Sequence, residues 1–289
     1  LARPVPFIYP LEKIIDRGYV GLGIGVYDVM GAGRGVPGHH KHLGKKKTLE
    51  SFPSGKRSAI RGAVKFYEGQ VDDARHTMML ARTAAAYGAL CANSTHVTGF
   101  LREDDKVVGV LACDLETGRS FEVRAKQVIN AAGVWTDEVQ QMVGGRGQFQ
   151  VRASKGVHLV VPRNRINSAT GIITRTEKSL LFVIPWGSHW IIGTTDTDWK
   201  LDLAHPAASR SDIDYILGHV NKLLADPLDH EDVVGVYAGL RPLLFGESDS
   251  TSKLSREHAV SSPVRGLTVI AGGKYTTYRV MAKDAVDAA

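Results

Sequence analysis

Apolar positions change period several times along the chain, and each change marks an element. Val71, Ala74, Met78, Ala81 and Ala85 recur at helical spacing and predict a helix over residues 71–87. Asp72 and Asp73 suit its positive N-terminal end. Ile213, Ile216, Leu217, Val220, Leu223 and Leu224 predict a second, amphipathic helix with Ser211 as candidate N-cap. A third begins near Thr276. Between the first two lie short strands at 95–101, 107–113 and 120–125, the last alternating through Phe121, Val123 and Ala125 after a Glu116-Thr117-Gly118 turn. An apolar strand at 128–133 ends in Ala131-Ala132-Gly133. Residues 157–161 place Val157, Leu159 and Val161 on one face and His158 on the other. Gly187-Ser188 is a two-residue hairpin turn between strands at 180–186 and 189–193. Two further strands are read at 233–240 and 267–271.

Residues 1–11 read as proline-broken and extended, and 12–30 as short apolar runs mixed with glycine. Residues 31–47, rich in Gly, His and Lys, read as an exposed loop or helix edge. This alternation, with a central antiparallel block, predicts an α/β protein carrying an inserted or adjoining sheet.

Composition narrows the classes. At 289 residues the chain can bury one large core or two medium ones. A net charge of +6 favours anionic partners such as phosphorylated metabolites, acidic lipid or nucleic acid. No aromatic-basic interleaving or zinc-finger spacing supports nucleic acid. Cys91 and Cys113 are the only cysteines, so neither a disulfide framework nor a cysteine-based metal site is expected. The most apolar stretch, 180–195, is interrupted by Pro185, Gly187, Ser188 and His189 and is not expected to span a bilayer. The chain opens on Leu1 rather than Met and closes within an apparent helix, which reads as a piece of a longer protein.

Four places hold candidate chemistry. The small residues ending VINAAGVWTD (128–137) let backbone come close to a bulky ligand, though a buried strand ending in a turn reads equally well. AGGKYTTYR (271–279) is a Gly-rich helix start whose free backbone donors can bind ligand oxygens, or an ordinary helix start with a solvated lysine. Arg241, read as closing a strand at Pro242, and Arg256 are either phosphate ligands or surface ion pairs. His158 is either a proton acceptor or a hydrogen-bonded core histidine. Gly31-Ala32-Gly33-Arg34-Gly35 resembles a dinucleotide fingerprint, but its last glycine falls one position early, and it reads as a loop.

Seven segments in order, LARPVPFIYPL, FYEGQVDDAR, VINAAGVWTD, SKGVHLVVP, IPWGSHWIIGTTDTDW, YAGLRPL and AGGKYTTYR, cover nearly the whole chain. Together they resemble the FAD-dependent, quinone-linked glycerol-3-phosphate dehydrogenases. The resemblance implies a glutathione-reductase-type FAD-binding fold interleaved with an antiparallel-sheet substrate domain. It assigns 67–137 and 264–289 to the FAD domain, 138–263 to the substrate domain, and 1–66 to a linker and part of the substrate domain. It also implies that the chain is a central fragment, lacking an N-terminal dinucleotide-binding motif and a C-terminal domain, and inactive alone.

The same resemblance implies FAD as cofactor, held by Val97, Ala132, Gly133, Trp135, Gly272, Gly273, Thr276 and Thr277. It places sn-glycerol 3-phosphate on Arg241, Arg256, Lys274 and Arg152, with His158 and Lys274 as the catalytic pair. Electrons would pass to a quinone. An oxygen-using glycerol-3-phosphate oxidase is the nearest alternative, an amine or amino-acid oxidase of the same fold a more distant one. An anion-binding piece without turnover is the alternative of a different class. The resemblance further suggests a cytoplasmic location with peripheral contact at the inner face of the cell membrane, leaves a homodimer open, and offers no role for nucleic acid. FYEGQVDDAR is diagnostic without an assigned chemical role. The basic stretch from His39 to Lys47 is read as a solvated face or as a patch meeting anionic lipid.

Overall fold

The computed structural model describes residues 2–13, 16–31, 39–144, 150–177, 179–245 and 257–289. It divides into two compact units, each assembled from separated stretches of chain. The first takes Leu1–Tyr87, Gly156–Thr195 and Ala207–Ala238; the second takes Gly88–Lys155, Asp196–Pro206 and Gly239–Ala289. The break after Tyr87 falls later than the sequence boundary after residue 66.

The chain opens with β1 (Ala2–Leu11), α1 (Asp16–Gly31), β2 (Lys41–Gly44), α2 (Lys45–Ser51), β3 (Gly62–Val71) and α3 (Asp73–Ala86). Then follow β4 (Thr95–Glu103), β5 (Lys106–Asp114), β6 (Ser120–Arg124), β7 (Val128–Asn130) and α4 (Thr136–Gln141). Next come β8 (Val151–Pro162), β9 (Gly171–Arg175), β10 (Leu180–Trp186), β11 (His189–Gly193) and β12 (Thr197–Asp198). The last elements are α5 (Arg210–Val220), β13 (Gly235–Leu244), β14 (His258–Val264), β15 (Leu267–Gly272) and α6 (Tyr278–Ala288).

In the first unit the sheet runs β8-β11-β10-β9-β1-β3-β2, with β13 also paired to β8. β1 is a full strand, paired antiparallel with β3 over all ten residues, from Ala2↔Val71 to Leu11↔Gly62. Its prolines, Pro4, Pro6 and Pro10, share one parity, so the donors they lack all point to one side of the strand. Pairing to β9 is correspondingly short, Phe7↔Gly171 and Ile8↔Ile172. The core gathers Ile8, Leu159, Leu181, Trp190, Ile192 and Ile216 from the sheet and α5. Fully burying each aliphatic stabilises by about 1.5–3 kcal/mol over leaving it exposed. The Trp190 indole N–H, buried with the ring, donates to the carbonyls of Arg163 (3.2 Å) and Ile166 (3.0 Å).

Several expectations change. Residues 16–31 form a helix rather than loose apolar runs, and β2 and α2 replace the loop read up to residue 47. The N-cap of α5 is Ser209, not Ser211: its hydroxyl receives the Asp212 N–H while the Asp212 carboxylate accepts the Ser209 N–H at 2.8 Å, a reciprocal capping box. β13 does not end at Pro242 but runs through it to Leu244. β13 pairs with β8 at the margin of the sheet, the kind of strand that tolerates a proline.

The second unit holds two three-stranded sheets, the meander β4-β5-β6 and β14-β15-β7, in which β7 runs parallel to β15. Val107, Val143, Leu267 and Val269 form its buried cluster. In β6, Phe121 and Val123 are exposed, so the alternation read there marks no buried face. Among the described residues, no helix is long and apolar enough to cross a membrane.

Candidate functional site

In the second unit the end of β7 opens a cavity of about 560 Å³. Val97 and Phe100 from β4, Val128 to Ala132 from β7 and its exit, and Trp135 and Met142 around α4 line it. Three of the residues implicated by the sequence, Val97, Ala132 and Trp135, therefore share one wall system. Gly133 follows Ala132 with φ +61°, and open space lies where a side chain would stand. That left-handed turn starts α4.

Asn130, which the sequence reading passed over, closes the cavity floor. It is 5% exposed, and its Oδ1 accepts the Ala132 N–H at 3.0 Å, bracing the turn. Its Nδ2 is buried and has no hydrogen-bond partner among the described residues. A buried amide donor costs about 1–3 kcal/mol when left unpaired, so this atom asks for an acceptor. A lone Asn ending an apolar strand was the available signal.

The glycine-rich turn after β15 sits elsewhere in the same unit. Gly272 (φ +76°) and Gly273 (φ +79°) are both left-handed. A Cβ at Gly272 would stand 2.5 Å from the Glu257 carbonyl oxygen, and one at Gly273 would stand 2.5 Å from Met281 Sδ. The chain's own packing therefore requires both glycines. Lys274 precedes the turn Tyr275–Thr277 and is exposed, as are Thr276 and Thr277. The Thr277 hydroxyl donates to the Lys274 carbonyl at 3.0 Å, and α6 begins at once. His258 Nε2 lies 2.8 Å from Asp284 Oδ2, joining β14 to α6.

Arg241 is half-buried within β13, and Arg256 lies outside the described residues. The Arg152 Nε donates to Asp198 Oδ1 at 2.8 Å, and this contact first, then Lys200, holds the Asp198 carboxyl below the usual carboxylate range. Arg152 and Asp198 line a second cavity of about 560 Å³ with Trp199 and Phe245. Arg152 is thus charge-compensated within the protein. Beside it Lys155, 6% exposed, holds its ammonium 5.0 Å from the Trp199 ring centre, a buried cation the sequence reading overlooked.

His158 belongs to the first unit. On β8, Val157, Leu159 and Val161 face the core, while His158, Val160 and Pro162 are partly exposed on the other face. Its ring is stacked on Tyr237 of β13, with centres 5.0 Å apart and planes 13° from parallel. Directly across on β11 lies Gly193, where a Cβ would stand 2.4 Å from His158 Cδ2. Only a residue without a side chain leaves room for the imidazole there.

The glycine loop fails its context test on the elements that flank it. Residues 33–38 do spell Gly-Arg-Gly-Val-Pro-Gly, a spacing the reading of 31–35 missed. Helix α1 precedes the stretch and strand β2 follows, the reverse of the strand-turn-helix order that a pyrophosphate grip needs. Residues 32–38 themselves lie outside the described residues.

Comparison with known proteins gives one consistent result. The family model described as FAD dependent oxidoreductase matches residues 23–279. Over its full length the chain is 61% identical to glycerol-3-phosphate dehydrogenase 2 of Mycobacterium tuberculosis, covering 49% of that protein. It is 37% identical to the mitochondrial glycerol-3-phosphate dehydrogenase of Homo sapiens, with 100% of this chain and 41% of that protein covered. Among solved structures, the glycerol-3-phosphate dehydrogenase from Bacillus halodurans complexed with FAD matches at TM-score 0.83 and 32% identity, with 100% of this chain and 51% of that chain covered. The chain spans about half the length of the curated relatives it matches.

Proposed function

Because the chain belongs to the FAD dependent oxidoreductase family, we propose that it forms part of an enzyme oxidising sn-glycerol 3-phosphate to dihydroxyacetone phosphate. Its fold is α/β, of the glutathione-reductase FAD-binding type. One observation carries the reading: Val97, Ala132 and Trp135 converge on a single largely apolar cavity that Asn130 also lines.

That residue set fits FAD. Apolar walls suit a flat heteroaromatic ring. Gly133, left-handed and unobstructed, leaves its backbone open to a close ligand. Gly272 and Gly273 hold the turn that presents Thr276 and Thr277 at the start of α6. FAD, when bound, supplies the hydride acceptor for the substrate carbon.

The chain's own side chains do the rest. Arg241 and Arg256 hold the phosphate through charge-assisted hydrogen bonds, with Arg152 a secondary basic contact. Lys274 orients the reacting hydroxyl, and a His158 ring nitrogen accepts its proton. Electrons then go to a quinone. Quinone reduction by the full-length protein, without hydrogen peroxide, is the expected result; stoichiometric peroxide would make it an oxidase instead.

Peripheral contact with a membrane fits α1. Its inward face is Val20, Gly21, Ile24 and Gly25, while Tyr19, Leu22, Val29 and Met30 point outward. Exposed Lys41, Lys45, Lys46 and Lys47 follow on β2 and α2. Apolar side chains beside lysines are the composition that an anionic bilayer surface binds.

The test is anaerobic flavin reduction in the full-length protein. Glycerol 3-phosphate should bleach the flavin, whereas amino acids should not. His158→Asn should keep flavin content and slow reduction by about 10²–10⁴-fold. Bleaching by an amino acid alone, or a His158→Asn variant as fast as the parent, would overturn the assignment.

A further inference from the structure

His158 is held differently on its two sides. On β11 its cross-strand neighbour is Gly193, and a Cβ there would stand 2.4 Å from Cδ2 and 2.9 Å from Cγ of the ring. On β13 its neighbour is Tyr237, stacked nearly flat with ring centres 5.0 Å apart. Gly193, without a side chain, bounds the imidazole on one flank, and the Tyr237 face bounds it on the other.

From this geometry we propose that Tyr237 and Gly193 are positioning residues for His158, Gly193 giving the imidazole its place across β11 and Tyr237 holding it flat and stabilising its protonated form. The proposal rests on the reading of His158 as proton acceptor. In that step the substrate O–H bond breaks and an N–H bond forms on the imidazole, which becomes a cation. The electron pair of the substrate C–H bond would be taken up by FAD when it is bound. An aromatic face attracts such a cation, so Tyr237 acts when the charge develops. Burial first, then the Asp73 carboxylate at the head of α3, keep the Tyr237 phenol above its ordinary value, so the ring stays neutral across the working pH range. Asp73 also favours a cation nearby and is common to every variant below.

The measurement is the titration of His158 by NMR of ¹³C-histidine-labelled full-length protein with FAD bound, its resonance assigned by loss in His158→Asn. Tyr237→Phe keeps the ring face and should leave the His158 pKa within a few tenths of a unit. Tyr237→Leu removes the face and should lower it by about 0.4–1.5 units. The low-pH limb of kcat/KM should move down by the same amount, with KM little changed. Gly193→Ala, which pushes the ring aside, should shift the His158 resonances and lower kcat. An unchanged His158 pKa in Tyr237→Leu would overturn the proposal. A lowered pKa with an unmoved kinetic limb would uphold the positioning role and remove His158 as the base.

Discussion

Arg241 tests the substrate reading at the scale of one residue. It is half-buried in β13, and the next residue, Pro242, has no N–H to offer the sheet. In the full-length protein, Arg241→Ala should lower kcat/KM for glycerol 3-phosphate by the equivalent of about 2–5 kcal/mol. Unphosphorylated glycerol should be affected far less. Equal loss with both substrates would show that Arg241 does not read the phosphate. Asn130 is the counterpart on the cofactor side: its amide oxygen braces the Ala132 turn at 3.0 Å, while its nitrogen is buried without a partner among the described residues.

At the scale of elements, Arg165 ties a turn to a loop in the first unit. Its Nη2 donates to Asp232 Oδ2 at 3.0 Å and its Nη1 to Asp226 Oδ2 at 3.0 Å, while Nε also meets Asp232. The Arg165 contact is the largest influence on Asp232 and holds its carboxyl below the usual range. A carboxyl whose value falls on folding adds stability above its unfolded value and loses it as pH falls through the folded one. Asp232→Asn should therefore cost about 1–2 kcal/mol at neutral pH, allowing for solvent screening, and nearly nothing once the parent's carboxyl is protonated. Urea melts at neutral pH and in strong acid check this; an equal cost at both would refute the ion pair as its source.

The outward face of α1 matters at the scale of the molecule. Tyr19, Leu22, Val29 and Met30 are exposed, and Gly21 is buried where a Cβ would stand 2.5 Å from the His42 ring. Most of the large apolar side chains of α1 face out rather than in, the reverse of a helix that serves a core. Flotation with anionic vesicles should recover the full-length protein, and Leu22→Asp with Met30→Asp should abolish recovery. Retained flotation would move the contact elsewhere. Raising salt should weaken binding by screening Lys41, Lys45, Lys46 and Lys47.

What the sequence determined by itself is local or carried by order. The α3 and α5 helices, the Gly187 hairpin turn with φ +56° and the β4-β5-β6 meander all follow from periodicity and turn chemistry within a few residues. The motif order pointed to the family, because seven segments in sequence are improbable by chance. Tertiary structure decided the rest. β1 is a strand despite three prolines because β3, some sixty residues away, pairs with its whole length. α1 is a helix despite its glycines because Gly21 and Gly25 lie toward its packed side, where Ile24 packs against the cluster of Val5, Phe7, Phe66 and Ile173. The cap of α5 passed from Ser211 to Ser209 because reciprocal bonding with Asp212 requires a three-residue spacing. Tyr237 carries no signature in its own neighbourhood and Asn130 only that of a lone polar residue ending an apolar strand, since what singles them out is a missing acceptor and a stacked partner from a distant strand. Periodicity reports which face of an element is buried; only non-local pairing decides which side chains meet.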